Sequence, residues 1–94
     1  MLAFDMGPKF SPGRIVITAN AQAQVPREDV LAALKRHLRG DWGELPAQDA
    51  HENERSLLQG CRLLFAYRTS KGLQFWILTE SDRSVTTILL PKDY

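Results

Sequence analysis

With 94 residues, of which 44% are hydrophobic and 24% charged, the chain has the size and composition of one globular domain with a single modest core. It has no apolar run near the ~20 residues that a membrane-spanning helix needs, and its first residues lack the features of a signal peptide. A formal net charge of +1 argues against nucleic-acid binding, since nucleic-acid-binding proteins usually carry a clear basic excess. A single cysteine cannot form an internal disulfide, so we expect a cytoplasmic protein.

The first half of the chain predicts a strand followed by a helix. Residues 1–12 contain glycine–proline breaks and no sustained periodicity, which predicts a loosely ordered arm before a single domain at residues 13–94. The β-branched run at residues 14–20 predicts the first strand. Pro26 then opens a helix with acidic residues at its start and basic residues at its end, and Gly40 stops it.

The loop after this helix contains Trp42 between two glycines. Trp42 either covers an edge of the core or contacts a partner protein, because tryptophan is enriched at interface hot spots. A second helix is predicted at residues 49–58, where Asp49 can cap its start and Gly60 can stop it. Residues 41–54 carry five acidic and no Lys or Arg side chains, which predicts a solvated acidic surface or an electronegative patch that docks on a basic partner.

The last third of the chain predicts three strands joined by short polar turns, at roughly residues 61–69, 73–79 and 84–90. The middle strand contains four consecutive apolar residues, 75–78, which is typical of a central strand covered on both faces. The first strand must join this sheet to bury its own apolar face. We therefore predict an α+β fold: a two-layer sandwich in the order β-α-α-β-β-β that ends in a three-strand antiparallel meander.

No pattern in the sequence is typical of a metal or cofactor site. His37, His51 and Cys61 lack the spacing of a structural zinc site, and there is no glycine-rich phosphate loop. We therefore expect neither a metal nor a cofactor. Nucleophilic catalysis by Cys61 would need a nearby base and an electropositive setting, so we predict a buried structural thiol instead.

The turn Glu80-Ser81-Asp82-Arg83 displays two carboxylates and a guanidinium on a rigid hairpin. In one interpretation, Arg83 pairs with Glu80 or Asp82 in a surface interaction worth ~0–1 kcal/mol. In the other, the tip contacts a partner together with Trp42, because binding residues concentrate on loops held by rigid scaffolds. The candidate binding residues are Trp42, Glu80, Asp82 and Arg83.

The predicted order of elements resembles that of RelE/ParE-type toxins, small bacterial proteins paired with antitoxins. The ribonuclease members of that family cut mRNA on the ribosome with arginines and lysines on the sheet and a Tyr or His near the C-terminus. Arginine would stabilise charge on the phosphate, and a second group would handle the 2′-OH proton. The chain departs from this pattern, because it is barely basic and has no dense Lys/Arg cluster before the second strand. By position, the resemblance implies catalytic roles for Arg62, Arg68, Arg83 and Tyr94.

The stretches GRIVITANA, RGDWGE and FWILTESDRSVTTILLPKDY resemble a family of short bacterial proteins of unknown activity from plasmids and integrated mobile elements. The resemblance spans residues 13–94. Mobile-element genes of this size often encode inhibitors, including anti-restriction and anti-CRISPR proteins, some of them from phages. We therefore expect a non-enzymatic protein-binding module that docks on a larger bacterial protein or complex, and a homodimer stays open. The alternatives are a RelE/ParE-like toxin and then a nucleic-acid-binding accessory protein.

Overall fold

The computed structural model describes residues 9–41, 43–44 and 47–94, apart from the side chains of residues 47, 50, 54 and 58. Trp42 and most of the predicted N-terminal arm lie outside the described residues. The elements are, in chain order, β1 (Arg14–Ile17), α1 (Ala19–Gln24), α2 (Arg27–Leu38), α3 (Ala47–Gln59), β2 (Leu63–Arg68), β3 (Gln74–Thr79), β4 (Val85–Leu89) and a 3-10 helix (Pro91–Asp93).

The four strands form one mixed sheet in the order β1-β4-β3-β2. β2, β3 and β4 are antiparallel neighbours, whereas β1 runs parallel to β4. The prediction of an α+β fold with a C-terminal three-strand meander is confirmed. β3 lies inside the sheet as predicted, and Phe75, Ile77 and Leu78 are buried, but Trp76 is only partly buried.

Two short elements were not predicted. The strand expected to reach residue 20 ends at Ile17, because Thr18 caps α1 by accepting a hydrogen bond from the Ala21 backbone N–H at 3.1 Å. The C-terminal 3-10 helix then returns to this cap. Asp93 accepts hydrogen bonds from the Thr18 hydroxyl at 2.7 Å and from the Asn20 amide at 2.6 Å, so the C-terminal segment is bonded to the start of α1.

Side chains alternate along each strand, so the sheet has two faces. One face packs against α1 and α2 and forms the core with Ala21, Val25 and Ala33. We call the opposite one the outer face. Its apolar residues are Val16, Leu64, Ala66, Trp76, Leu78, Val85 and Leu89.

The β2 edge of the sheet is covered by the chain itself. The Asn53 side chain of α3 donates to the Leu64 carbonyl at 2.7 Å and accepts from the Leu64 N–H at 3.3 Å, as a neighbouring strand would. Gly43 forms a bridge with Ala66, and its φ is +68°. A Cβ at position 43 would lie 2.0 Å from the Ala66 carbonyl oxygen, so this close approach requires glycine.

Candidate functional site

The outer face is apolar at its centre and charged at one end. Ala66, Leu78 and Leu89 are buried in it, while Val16 and Thr87 are partly exposed. At the end where β1 begins, the strand register places one residue of each strand in a row across the sheet: Arg14, Val85, Glu80 and Arg62. The outer face therefore combines an apolar surface with charges of both signs.

Tyr94 folds back onto this face between two strands. Its ring makes an edge-to-face contact with Trp76 of β3, with the ring centroids 5.7 Å apart and the planes at 70°. The Arg62 guanidinium donates a hydrogen bond to the Tyr94 hydroxyl, and its carbon atom lies 5.6 Å from the centre of the tyrosine ring. Tyr94 is nevertheless 62% exposed. Tyr94, Trp76 and Arg62 thus form an aromatic–arginine cluster on the outer face.

The four residues that the toxin resemblance singled out are not gathered into one site. Arg62 and Tyr94 are in contact. Arg68 lies at the other end of β2, about 20 Å away at ~3.3 Å per residue. There it pairs with Glu44 at 2.5 Å and donates to the Gly72 carbonyl at 3.0 Å.

Arg83 is directed inward from the hairpin turn. Its guanidinium donates to the backbone carbonyl oxygens of Cys61 at 2.5 Å, Glu80 at 3.1 Å and Ser56 at 3.4 Å. It also lies 5.6 Å from the centre of the Phe10 ring. Among the described residues, Arg83 makes no ion pair with the Glu80 or Asp82 carboxylate, so the structure does not have the pairing of the first interpretation. Arg83 therefore connects the hairpin to the end of α3.

The hairpin tip itself exposes Ser81 and Asp82. The Asp82 carboxylate accepts hydrogen bonds from the Ser84 hydroxyl at 2.5 Å and the Ser84 N–H at 2.9 Å, and these bonds lower the pKa of Asp82. Arg83 has a φ of +60°, which is rare for a residue other than glycine. Glu80 and Asp82 remain candidate binding residues, whereas Trp42 lies outside the described residues.

His37, to which the sequence assigned no role, is fully buried among aromatic side chains. A chain of hydrogen bonds runs from its Nε2 to the Thr79 hydroxyl (2.7 Å), the Thr86 hydroxyl (2.8 Å) and the Pro12 carbonyl (2.7 Å). Because Thr86 gives its only hydroxyl proton to Pro12, Thr79 must donate to Thr86, and His37 must donate from Nε2. The chain of bonds ties the segment before β1 to the sheet.

Burial controls the charge of His37. Desolvation, assisted by the positive charge of Arg83, lowers the pKa of the imidazole to about 3. Its Nδ1 atom has no hydrogen-bond partner among the described residues. His37 is therefore neutral at physiological pH, and we interpret it as part of the core.

The prediction that Cys61 is a buried structural thiol is wrong, because Cys61 is exposed.

Within the described ranges, no group of three or more His, Cys, Asp or Glu side chains could hold a metal ion. The helices of the same ranges are too short or too polar to cross a membrane. No protein-family model, curated protein or solved structure matches the chain.

Proposed function

We propose that this chain is a small non-enzymatic protein-binding module that docks through its outer face on a larger bacterial protein or complex. The observation that carries the proposal is the exposed aromatic–arginine cluster beside an apolar sheet surface. Tyr, Trp and Arg are the residue types most enriched at the energetic centres of protein interfaces. A partly exposed apolar surface with polar margins is also the usual anatomy of a binding site for a protein.

The charges of the outer face indicate what the partner presents. Glu80 lies between Arg62 on one side and Val85 and then Arg14 on the other, so the row offers two positive charges and one negative charge in a fixed order. A partner with an apolar patch next to a carboxylate would match Arg62 and the partly exposed Leu64 on the same face. Complementary charges of this kind fix orientation and speed association. The resemblance to mobile-element proteins supports a host or defence complex as the partner, which docking would block.

Site-specific photo-crosslinking in bacterial cells tests the proposal. A crosslinking amino acid at Thr87, which is partly exposed on the outer face, should form an adduct with one larger protein. The same amino acid at Lys35, exposed on α2, is the control and should not form it. Tyr94→Ala should weaken the Thr87 adduct at an unchanged melting temperature. Equal adducts from Thr87 and Lys35, or none from Thr87, would remove the outer face from the binding site.

The hairpin tip can be tested separately. Arg83 holds three backbone carbonyl groups, so replacing it would disturb the fold as well as the tip. Asp82→Ala changes only the exposed carboxylate and its local bonds to Ser84. If Asp82→Ala weakens the Thr87 adduct while the melting temperature stays the same, the tip belongs to the binding site. An unchanged adduct would exclude Asp82.

The second candidate function is a RelE/ParE-like mRNA endonuclease, and the contact between Arg62 and Tyr94 favours it. An exposed guanidinium could neutralise a phosphate while the neighbouring phenol handles a proton. Arg68 and Arg83, however, are engaged elsewhere. We expect no growth arrest and no mRNA cleavage on induced expression. Arrest that Tyr94→Phe abolishes, since this change removes only the hydroxyl, would favour the endonuclease over the binding module.

A further inference from the structure

The two edges of the sheet differ in whether their outward-pointing backbone groups have hydrogen-bond partners. The β2 edge is covered by Asn53 and by the Gly43 bridge. At the β1 edge, Arg14 and Thr18 donate their N–H groups to β4, to the carbonyls of Ser84 and Ile88 at 2.9 Å each. The backbone alternates along a strand, so the N–H and C=O groups of Ile15 and Ile17 point away from β4. Within the described part of the chain, no hydrogen bond reaches these groups.

Among the described residues, the β1 edge also shows none of the features that usually prevent strand pairing. Proteins protect free edges with proline, with inward-pointing charges, with bulges or with a covering loop. The residues after Arg14 are three consecutive β-branched aliphatic residues, and Ile15 is 47% exposed. An uncovered edge of this composition favours the addition of another strand.

We propose that the added strand is β1 of a second copy of this chain. The two strands pair antiparallel about a two-fold axis at Val16, which joins the two four-stranded sheets into one continuous sheet. In this register, Ile15 of each copy lies opposite Ile17 of the other copy. Each of the two residues donates its N–H to the C=O of the residue opposite. Every outward-pointing backbone group of Ile15 and Ile17 then has a partner. This inference is independent of the partner protein proposed for the outer face.

The side chains are self-complementary in this register. Ile15 of the second copy lies beside Ile17 on the helix side of the sheet, because residues opposite each other in an antiparallel pair share a face. The structure has a surface pocket of about 220 Å³ at that place. The exposed isoleucine of each copy therefore meets a largely apolar pocket of the other. The pocket is lined by Ile17, Gln22, Val25, Arg27 and Val30.

The charges are complementary as well. On the outer face, Arg14 of one copy lies opposite Thr18 of the other, and the Thr18 hydroxyl holds the Asp93 carboxylate. Hydrogen bonds from Asn20 and Thr18 lower the pKa of Asp93, so this carboxylate is ionised. Arg14 is exposed and makes no ion pair with a described residue. In each half of the symmetric interface, Arg14 of one copy thus lies near the Asp93 carboxylate of the other. This charge complementarity favours a second copy over an unrelated strand.

Hydrogen exchange of the wild-type chain, combined with sedimentation over a dilution series, tests the pairing. The interface consists of one short strand from each copy and few side chains. Because so small an interface binds weakly, we expect a dimer that dissociates on dilution. The N–H groups of Ile15 and Ile17 should exchange slowly only at concentrations where the dimer forms. The N–H of Val16 faces β4 and is the internal control, so its exchange should depend much less on concentration. Slow exchange at Ile15 and Ile17 in a chain that stays monomeric would mean that another segment covers the edge, and would overturn the proposal.

Matched substitutions locate the interface. Ile15→Lys places a charge at the apolar pocket and should raise the dimer dissociation constant at least about tenfold. Gln59→Lys adds the same charge at an exposed position of α3, the helix that covers the opposite edge of the sheet, and the dissociation constant should stay within about twofold. A wild-type dimer that Ile15→Lys does not weaken would contradict pairing through β1.

Disulfide trapping gives a second measurement that does not depend on the stability of the Ile15 variant. With Cys61 replaced by serine, Val16→Cys places a thiol on the two-fold axis opposite its own copy. Directly opposite residues have Cβ atoms close enough for a disulfide after a small adjustment. Val85→Cys, one strand further in on the same face, is the control. Mild oxidation should link Val16→Cys chains and not Val85→Cys chains; equal or absent linking of the two would overturn the proposed register.

Discussion

His37 should make the fold sensitive to mild acid. Its pKa is about 3 in the folded chain and 6.5 for an ordinary histidine. Above pH 6.5, the imidazole is neutral in both states and adds no pH dependence. Below that value the unfolded chain gains a proton that the folded chain does not take up, so the free energy of unfolding falls as the pH falls. At pH 5 the loss amounts to about 2 kcal/mol, at 1.36 kcal/mol per pH unit below the unfolded pKa.

Urea denaturation at about pH 7.5 and about pH 5 measures this loss. His37→Gln is the informative variant, because glutamine keeps an N–H donor for Thr79 and does not titrate. We expect this variant to be less stable at neutral pH and to lack about 2 kcal/mol of the acid-induced loss. His51→Gln removes the exposed histidine of α3 and should retain the full loss. If wild type and His37→Gln lose equal stability between the two pH values, His37 is not a buried neutral imidazole.

Substitutions at four further positions test the packing. Ile77→Ala removes a fully buried side chain of β3 and should lower the free energy of unfolding by ~2–5 kcal/mol; in urea denaturation, a loss below about 1 kcal/mol would refute a central position. Arg83→Ala loses the bonds to three carbonyls, whereas Arg83→Gly loses the same bonds but suits a φ of +60°. The free energy of unfolding should therefore be about 1 kcal/mol higher for the glycine variant than for the alanine variant. The reverse order would contradict the left-handed backbone at Arg83. Gly43→Ala brings a Cβ 2.0 Å from the Ala66 carbonyl and should lower the melting temperature, while Gly72→Ala, with open space around it, is the control for positive φ alone.

The sequence predicted the meander because the signals for it are local. Polar turns between β-branched and aromatic runs specify a hairpin from a few adjacent residues, and the apolar residues 75–78 indicated a strand inside the sheet. α1 was not predicted, because a helix of six residues is too short to show an apolar period. Its one sequence signal was Thr18, a good N-cap residue that also suits a strand.

The site was harder to predict, because its contacts join residues that are distant in sequence. Arg62 and Tyr94 were singled out separately, but their contact depends on the 3-10 helix turning the chain back over the sheet. The inward direction of Arg83 depends on its left-handed backbone and on carbonyls of α3 and Cys61. The burial of His37 likewise depends on tertiary packing, because the rings of Phe10 and Phe65 that cover it come from distant parts of the chain.

The parallel pairing of β1 with β4 has a consequence for the order of folding. The paired residues, such as Arg14 and Val85, are about 70 residues apart in the chain. Closing a loop of that length opposes folding by about 4 kcal/mol of chain entropy, whereas each hairpin of the meander closes over a few residues. We therefore expect the meander to assemble early and β1 to join it late. During synthesis β1 leaves the ribosome before the other described elements and is without its β4 partner until nearly all of them have been made. The segment translated early thus completes the fold.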